Sequence, residues 1–257
     1  MKFLSNPNLP EESVCAVLVD YRTAPEIIAS LEKLGIIVYK SCKVDKLDET
    51  VCGHVDMSIH HIGKNIFVCE PSTYDYYKHI FQKQNINLIR GNSVLTSTYP
   101  HDAAYNIARI GNYAFHACCY TDQVILNTFD KLNITLLHTQ QGYSKCNLCP
   151  ITKNAFITED ESIYKVGVNH SFDVLKITKG YIQLPGYPYG FIGGATGLID
   201  KNILAVTGSL RQHPDYNKII AFCKKYHVSV CELTQQKPID IGSILPIYES
   251  FSSNLPV

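Results

Sequence analysis

The feature that most constrains the fold is a segment that recurs along the chain. In each copy, apolar residues at helical spacing end at a Gly, Asn or His, and a short β-branched run follows. This order is typical of a helix that stops and leads into a strand. Four copies are evident: KLGIIVYK at 33–40, KQNINLIR at 83–90, KLNITLLH at 131–138 and KYHVSVCE at 225–232.

The spacing of the helix ends indicates a fifth copy. The ends at positions 35, 85, 133 and 227 lie 50, 48 and 94 residues apart, so one copy is missing near residue 180. Gly180 stands there, with a shorter helix candidate, HSFDVLKITKG, before it and a strand-like run, YIQLPG, after it. The sequence therefore predicts five units with a period of about 48 residues.

A second signature recurs in phase with the first. Two polar residues separate short apolar runs, which is the pattern of a β-hairpin turn. Each unit is thus predicted to contain a helix, a strand, a long loop and a hairpin. The four hairpin candidates are IGKNIFV at 62–68, IGNYAFH at 110–116, ITKNAFI at 151–157 and IDKNILA at 199–205.

The two ends of the chain complement each other. The fifth unit has only GSILPIYES after its loop, and the N-terminal strand candidate at 13–20 has no helix before it. We expect an α/β fold that is a closed five-bladed propeller, in which strand 13–20 completes the last blade and removes exposed edges. An open solenoid or two unrelated α/β domains are the alternatives; the shared period and the lack of polar caps favour the ring.

The repeat predicts a single domain over residues 1–257 with pseudo-five-fold internal repetition. Its units are expected at 20–70, 71–118, 119–165, 166–210 and 211–257.

Composition excludes several function classes. The 23 basic and 23 acidic residues balance, and no run of Lys and Arg is long enough to contact a nucleic-acid backbone. No segment reaches the length of a membrane span, and the N-terminus lacks the apolar core of a signal peptide. We expect a cytoplasmic protein without nucleic-acid or membrane partners, whose ten cysteines are free thiols.

The loops between strand and hairpin are the expected location of function. They occur once per unit, on the same side of a closed ring, so their side chains converge in a central funnel. The five loops are DETVCGHVDMS, TSTYPHDAAYN, QQGYSKCNLCP, PYGFIGGATG and QKPIDIGSILP.

Polar pairs in the first two loops suit a cation. His54 and Asp56 would share a face of an extended segment, and a His beside a carboxylate can act as general acid or base. Asp102 and Asn106 could accept hydrogen bonds from a guanidinium or amine. The alternatives are a structural His at a strand rim and ordinary loop capping by Asp and Asn.

The third loop offers a nucleophile. A Cys146 thiol beside the Lys145 cation is expected to have a lowered pKa and to attack carbon. Cys146 and Cys149 could also form half of a zinc site, but no second spaced pair of ligands follows, so we expect no metal. A buried thiol pair is the remaining alternative.

The last two loops complete the candidate site. GFIGGATG has neither the Lys-Ser/Thr ending of a phosphate loop nor the dinucleotide spacing, so we expect no cofactor. Gly193 and Gly194 are expected to let the backbone approach the axis or a ligand closely. In the fifth loop, Asp240 could be a second acidic residue that binds the cation, or it could only form a turn. Ser243 lies in the same loop.

Five such units in a ring resemble the pentein fold of guanidino-group-modifying enzymes, which include arginine and agmatine deiminases, dimethylarginine hydrolases and amidinotransferases. The motifs HVDM, YPHDAAYN, QGYSKC, GFIGGATG and DIGSILP are similar to those of an uncharacterised bacterial branch. The resemblance implies a small cationic or polar ligand. It also implies a Cys nucleophile in the final unit, helped by a His and carboxylates from other units.

The chain departs from that pattern because its final loop, DIGSILPIYE, contains no Cys. One hypothesis is therefore a hydrolase or amidinotransferase acting on a guanidino or amidine C–N bond, with Cys146 as the displaced nucleophile and His54 and Asp56 as the other catalytic residues. Ser243 would act if the nucleophile has kept its place. The expected substrate-binding residues are Asp102, Asn106, Lys145, Gly193, Gly194, Asp240 and Ser243.

The second hypothesis is a non-catalytic ring that binds a small molecule or a protein. It would resemble the ribosome anti-association initiation factor that shares the pentein fold. The missing Cys favours this hypothesis, and the density of His, Asp, Asn, Lys and Cys in the loops favours the enzyme.

Overall fold

The computed structural model describes residues 1–251, so residues 252–257 of the predicted last unit lie outside this description. Its α-helices are α1 (Pro25–Lys33), α2 (Val55–Ser58), α3 (Tyr74–Ile80), α4 (Gln123–Leu132), α5 (Ser144–Asn147), α6 (Glu161–Asn169) and α7 (Tyr216–Lys225). Its strands are β1 (Lys2–Phe3), β2 (Val14–Val19), β3 (Ile37–Lys40), β4 (Ile59–Gly63), β5 (Ile66–Cys69), β6 (Asn87–Arg90), β7 (Ala108–Ile110), β8 (Tyr113–His116), β9 (Thr135–His138), β10 (Leu148–Thr152), β11 (Ala155–Thr158), β12 (Asp173–Lys176), β13 (Thr196–Asp200), β14 (Ile203–Val206), β15 (Ser229–Glu232) and β16 (Leu245–Glu249). Within residues 1–251, no helix is long and apolar enough to cross a bilayer.

The strands form five small sheets. In strand order these are sheet 1 (β1-β16-β2-β3), sheet 2 (β4-β5-β6), sheet 3 (β7-β8-β9), sheet 4 (β10-β11-β12) and sheet 5 (β13-β14-β15). In sheets 2 to 5, an antiparallel hairpin is followed by a helix and a strand parallel to the hairpin's second strand. The protein therefore has the α/β class that the sequence predicts, built from several sheets, none of which closes on itself within residues 1–251.

The predicted hairpins are confirmed. Strands β4 and β5, β7 and β8, β10 and β11, and β13 and β14 pair antiparallel across two-residue turns. Each turn ends in Asn, and the first residue of two of them, Lys64 and Gly111, has a φ of 51° and 56° respectively. This left-handed conformation suits the twist of a short hairpin.

Sheet 1 joins the two ends of the described chain. Strand β16 pairs antiparallel with β2, with Leu245 opposite Leu18 and Glu249 opposite Val14. Strand β2 in turn pairs in parallel with β3, on the far side of helix α1 in the sequence. The N-terminal strand thus pairs with the last strand of the described chain, as the sequence predicts.

Most helix ends follow the sequence signals. Gly35, Asn133 and His227 have φ values of 79°, 53° and 57°, which is the left-handed conformation that terminates a helix. Helix α3 is an exception, because it ends at Ile80, before the predicted stop at Asn85.

The predicted helix end at Gly180 is wrong. The helix of this unit is α6, which begins where the Asp160 carboxylate accepts a hydrogen bond from the Ile163 amide at 2.8 Å. The chain turns after it at Ser171, whose φ is 63°. The segment expected to be helical forms β12, and YIQLPG makes only isolated bridges. Equal spacing misled the prediction because it assumes loops of equal length, and the loop after β12 is much longer than its counterpart in sheet 3.

Five apolar clusters connect the sheets in sequence. Each cluster contains buried residues of two successive sheets, and the fifth connects sheet 5 with sheet 1. Burial of this apolar surface is the main favourable contribution to folding. Residues that represent the clusters, two for each, are Leu18 and Phe67, Val68 and Ala114, Phe115 and Phe156, Ile157 and Val206, and Ala205 and Val19.

The buried Asp122 carboxylate connects the start of helix α4 with the loop that follows β6. Asp122 accepts a hydrogen bond from the Val124 amide at 2.9 Å and so caps the helix. Its other oxygen accepts from the amides of Asn92 at 2.8 Å and Ser93 at 2.7 Å, and from the Tyr105 hydroxyl at 3.3 Å. Loss of this side chain would leave several buried or partly buried donors without an acceptor.

We therefore predict that Asp122→Ala lowers the free energy of unfolding by about 3 kcal/mol, since a cap and buried hydrogen bonds are lost together. Urea denaturation followed by circular dichroism measures this change. Asp130→Ala, an exposed position on the same helix, is the matched control and should stay within about 0.5 kcal/mol of the wild type. Equal effects of the two substitutions would contradict the role assigned to Asp122.

Candidate functional site

The third loop forms a single helical turn that presents Cys146. The side-chain oxygen of Asn106, from the second loop, accepts hydrogen bonds from the backbone amides of Lys145 at 2.8 Å and Cys146 at 3.2 Å. The amide nitrogen of the same side chain donates to Cys146 Sγ at 3.1 Å. Asn106 thus fixes both the turn and the position of the sulfur.

Asp56 connects the thiol to the last loop. Its Oδ2 atom accepts a hydrogen bond from the Cys146 thiol at 3.1 Å, and Ser243 Oγ lies 2.9 Å from the same atom. Ser243 Oγ is also 2.9 Å from the carbonyl oxygen of Gly193, so its one proton is shared between two acceptors. All four residues are away from solvent, which makes these contacts costly to break.

Lys145 does not lie against the thiol. Its Nζ atom donates to Ser243 Oγ at 2.8 Å and to the carbonyl oxygen of Gly193 at 3.4 Å. The expectation that Lys145 lowers the pKa of Cys146 is wrong, because burial raises the pKa of this thiol well above its usual value and the charges of Asp56 and Asp240 raise it further.

His54 faces Asp240 across the site. Its Nδ1 atom lies 3.8 Å from Asp240 Oδ1, and one atom each of His54, Asp240 and Cys146 lies within 4.8 Å of the other two. Asp240 also accepts hydrogen bonds from the amides of Phe191 at 3.0 Å and Gly242 at 2.9 Å. Burial raises the pKa of Asp240, and the His54 charge partly offsets this effect.

The predicted pairing of His54 with Asp56 on an extended segment is wrong. Residues Val55–Ser58 form the helical turn α2, which directs the two side chains to different partners. His54 faces Asp240, and Asp56 contacts Cys146 and Ser243.

Two glycines allow the fourth loop to approach the site. A Cβ atom on Gly193 would lie 2.4 Å from the carbonyl oxygen of Lys145, and one on Gly194 would lie 2.0 Å from Asp240 Oδ1. Neither position has room for a side chain, as expected from the sequence. The Gly194 amide donates to the carbonyl oxygen of Cys146 at 2.9 Å, which ties the third and fourth loops together.

The structure therefore brings most of the predicted residues into one cluster. These residues are His54, Asp56, Asn106, Lys145, Cys146, Gly193, Gly194, Asp240 and Ser243. Asp102 is placed differently: it accepts a hydrogen bond from the Tyr143 hydroxyl, and its own pKa is raised by burial.

A cavity of about 230 Å³ opens next to this cluster. Its polar wall contains His54, Cys146 and Asp240, whereas the rest of its lining is apolar and aromatic. The remaining lining residues are Val51, Met57, Tyr143, Leu184, Tyr187, Pro188, Tyr189 and Phe191. Most of the aromatic wall comes from the loop after β12. Tyr189 and Phe191 lie in the predicted fourth loop, PYGFIGGATG, whereas Leu184 lies in YIQLPG, which the sequence predicts as a strand. The Gly, Pro and Tyr of YIQLPG are a signal for a loop instead.

A second cavity, of about 400 Å³, adjoins the first and shares His54, Leu184 and Asp240 with it. Its lining includes Arg22, whose guanidinium forms hydrogen bonds with the buried Asp20 carboxylate at 3.0 Å and 2.6 Å. Neither residue belongs to the five predicted loops, although a position directly after a buried strand is a usable signal for a functional residue.

Residues 18–245 match the sequence model of the family of unknown function DUF6873. The chain belongs to the DUF6873 family. Comparison with curated proteins finds no match.

Solved structures place the DUF6873 chain in the pentein fold, as its sequence suggests. It is similar to an inosamine-phosphate amidinotransferase from Streptomyces griseus, with 10% identity, a TM-score of 0.59 and coverage of 97% of this chain and 98% of that one. It is also similar to an agmatine deiminase from C. jejuni, with 11% identity, a TM-score of 0.58 and 97% coverage of both chains. For DDAH from Pseudomonas aeruginosa the identity is 9%, the TM-score 0.54 and the coverage 86% and 93%. At such identities the likeness concerns the fold.

A further carboxyl group, that of Glu159, lies beside the fourth loop of the DUF6873 protein, which contains Gly193 and Gly194. Glu159 accepts a hydrogen bond from the Ile192 amide at 2.9 Å, and burial raises its pKa to about 8. Glu159 is not among the predicted site residues, because it stands in an acidic stretch, TEDE, that is typical of an ordinary helix start.

We predict a specific pH dependence of stability from Glu159. Its folded-state pKa of about 8 exceeds the value of about 4.3 in an unfolded chain, so between these values the folded protein holds a proton that the unfolded chain has released. Its contribution to the free energy of unfolding therefore falls as pH rises from about 5 to about 8, by up to about 1.4 kcal/mol per pH unit.

Glu159→Gln should remove this contribution and make stability between pH 5 and 8 less dependent on pH. Urea denaturation at several pH values measures the slope, and Glu26→Gln, at an exposed position, should keep the wild-type slope. Identical slopes for all three proteins would show that Glu159 is ionised in the folded state at neutral pH.

Proposed function

We propose that this DUF6873 protein is an enzyme that cleaves a C–N bond of a small guanidino or amidine compound, with Cys146 as nucleophile. The observation that carries the proposal is the position of Cys146: its side chain lines the cavity together with His54 and Asp240, and their reactive atoms lie within 4.8 Å of one another. A thiol, an imidazole and a carboxylate in a shared cavity are the groups that covalent catalysis at an amidine carbon needs.

The charges of the site support a cationic substrate. The carboxylates of Asp56 and Asp240 both oppose ionisation of the Cys146 thiol, and the Lys145 ammonium group is directed to Ser243. A guanidinium bound beside these carboxylates would offset their charge and favour the thiolate. Substrate binding would thus create the nucleophile at the moment when it is needed.

The aromatic wall supports a planar ligand. Tyr143, Tyr187 and Phe191 line the same cavity as the Asp240 carboxylate, and aromatic faces attract cations. Asp102 holds the Tyr143 hydroxyl, so we assign it a positioning role rather than contact with the cation.

The chemistry follows from this arrangement. His54 takes the proton of the Cys146 thiol, the sulfur forms a bond to the central carbon of the amidine, and one C–N bond breaks as His54 passes this proton to the departing amine. His54 then removes a proton from water, whose oxygen bonds to the carbon; the C–S bond breaks, and the leaving thiolate takes that proton from His54. An amine in place of water would give an amidino transfer instead of hydrolysis. Asp240, 3.8 Å from His54, would stabilise the charged imidazolium between these steps.

The fold comparisons support this substrate class. Similar structures are named as an amidinotransferase and an agmatine deiminase, and a DDAH was studied with citrulline. The chain differs from the pattern that its resemblance implies, because Ser243 stands in the final loop. We infer that the nucleophile has moved to Cys146.

We further infer that the five sheets form a closed five-bladed propeller and a single domain with the unit boundaries given above. Its support is the set of five apolar clusters, which connect each sheet to the next and sheet 5 to sheet 1. Strand β2, paired with β16, completes the ring in this arrangement. The five loops then reach the same central site.

We predict that a haloacetamidine, a cationic thiol reagent, labels Cys146 of the native protein faster than the neutral haloacetamide does, after both rates are divided by those for a free thiol. Asp240→Asn should reduce this preference about tenfold, since one nearby charge is worth about 1.4 kcal/mol in such a site. Asp130→Asn, at an exposed position on helix α4, is the control and should keep the preference. Peptide mapping by mass spectrometry measures both rates, and equal labelling by the two reagents would contradict a cation site at Cys146.

We also predict that Cys146→Ala abolishes turnover of a guanidino substrate, found by mass-spectrometric screening of a guanidino compound mixture, whereas Cys149→Ala retains it. Cys149 is a suitable control because it lies on the same segment but packs in the core. Turnover that survives in Cys146→Ala and is lost in Ser243→Ala would place the nucleophile in the final loop. Absence of any turnover by the wild type would favour the non-catalytic binding ring.

A further inference from the structure

The cysteines of the third loop are separated by the fold. Cys149, on β10, packs in the apolar cluster between sheets 4 and 5, whereas Cys146 faces the cavity. The motif CNLC therefore does not supply two ligands to one metal. Cys146 has different neighbours, His54 and Asp240, which the sequence places far from it.

These three side chains offer a nitrogen, a sulfur and an oxygen within 4.8 Å of one another. Ligands of a tetrahedral zinc ion lie about 2.0 to 2.3 Å from the metal, and so roughly 3.5 Å from each other. His54 Nδ1 and Asp240 Oδ1 are already 3.8 Å apart. Small side-chain rotations would bring all three to a common ion.

The surrounding hydrogen bonds hold two of the three side chains, Asp240 and Cys146, in place. Asp240 accepts from the amides of Phe191 and Gly242, and the Cys146 sulfur accepts from Asn106. Such outer contacts orient ligands before a metal binds and increase its affinity.

The composition of the cluster selects the ion. A thiolate, a carboxylate and a neutral imidazole carry two negative charges, which a divalent cation balances inside a buried site. Sulfur and imidazole favour zinc and cobalt over magnesium and calcium, which prefer oxygen ligands. The fourth side of the cluster opens to the cavity, where water or another small ligand can complete the tetrahedron.

We infer that His54, Cys146 and Asp240 form a binding site for one zinc-type divalent cation, with an open fourth position in the cavity. A bound metal would occupy the sulfur lone pair and so block attack by Cys146 on carbon. Metal binding would therefore switch off the thiol chemistry proposed above. The metal site itself does not depend on that chemistry, and its test can succeed or fail independently.

Cobalt is the most informative probe, because a thiolate ligand gives a sulfur-to-cobalt charge-transfer band in the near ultraviolet. Tetrahedral coordination of Co²⁺ also gives characteristic d–d bands in the visible range. Titration of the chelator-treated full chain with Co²⁺ should give these bands and saturate at one ion per chain. Cys146→Ala should lose the charge-transfer band, and Asp240→Asn should weaken binding at least about tenfold. Cys119→Ala, at an exposed cysteine, should behave as the wild type.

Zinc protection gives a second readout that needs no variant. Zn²⁺ should slow alkylation of Cys146 by a neutral haloacetamide, and a chelator should restore it. The absence of a charge-transfer band in the wild type, or its persistence in Cys146→Ala, would overturn the site. Unchanged alkylation of Cys146 with Zn²⁺ would overturn it even if Cys146→Ala failed to fold. Failure of the cationic reagent to prefer Cys146, with the cobalt bands present, would instead remove the guanidino proposal and leave the metal site standing.

Discussion

The arrangement of the site depends on one buried carboxylate oxygen. Asp56 Oδ2, from the first loop, receives the thiol of Cys146 from the third loop and the hydroxyl of Ser243 from the fifth. A buried carboxylate is tolerated only when hydrogen bonds and a balancing charge compensate for lost water. Lys145 supplies the balancing charge, because its ammonium group donates to Ser243 Oγ. The Gly193 carbonyl oxygen of the fourth loop lies within hydrogen-bond distance of both side chains. Three loops that are distant in sequence are thereby fixed relative to one another.

This constraint gives the thiol its chemical character. Burial raises the pKa of the Cys146 thiol, and the charges of Asp56 and Asp240 raise it further, so the sulfur stays protonated until a cation arrives. A guanidinium and a zinc ion would both provide that cation, and both would use His54 and Asp240. Nucleophile and metal ligand demand the same deprotonated sulfur, which explains how one cluster can support either role. With a guanidinium in the cavity Cys146 would act as nucleophile, and with a zinc ion it would act as a metal ligand.

Local signals in the sequence were sufficient for much of the fold. The hairpins, the pairing of both chain ends and the left-handed residues at Gly35 and Asn133 depend on neighbouring residues and could be predicted. The turn at Ser171 could not, because its position depends on the length of the following loop, which the repeat does not determine. In the site, the right loops were predicted but not the right partners. The direction of Lys145 and the pairing of His54 with Asp240 arise from contacts between distant segments, and local spacing carries no information about them.

The most direct test of the account is to trap the covalent intermediate. The native protein, mixed with a guanidino substrate and quenched in acid, would be digested and mapped by tandem mass spectrometry. The account predicts an amidino adduct on Cys146 that forms during turnover and decays when the substrate is consumed. An adduct on Ser243, or turnover without any adduct on Cys146, would contradict it.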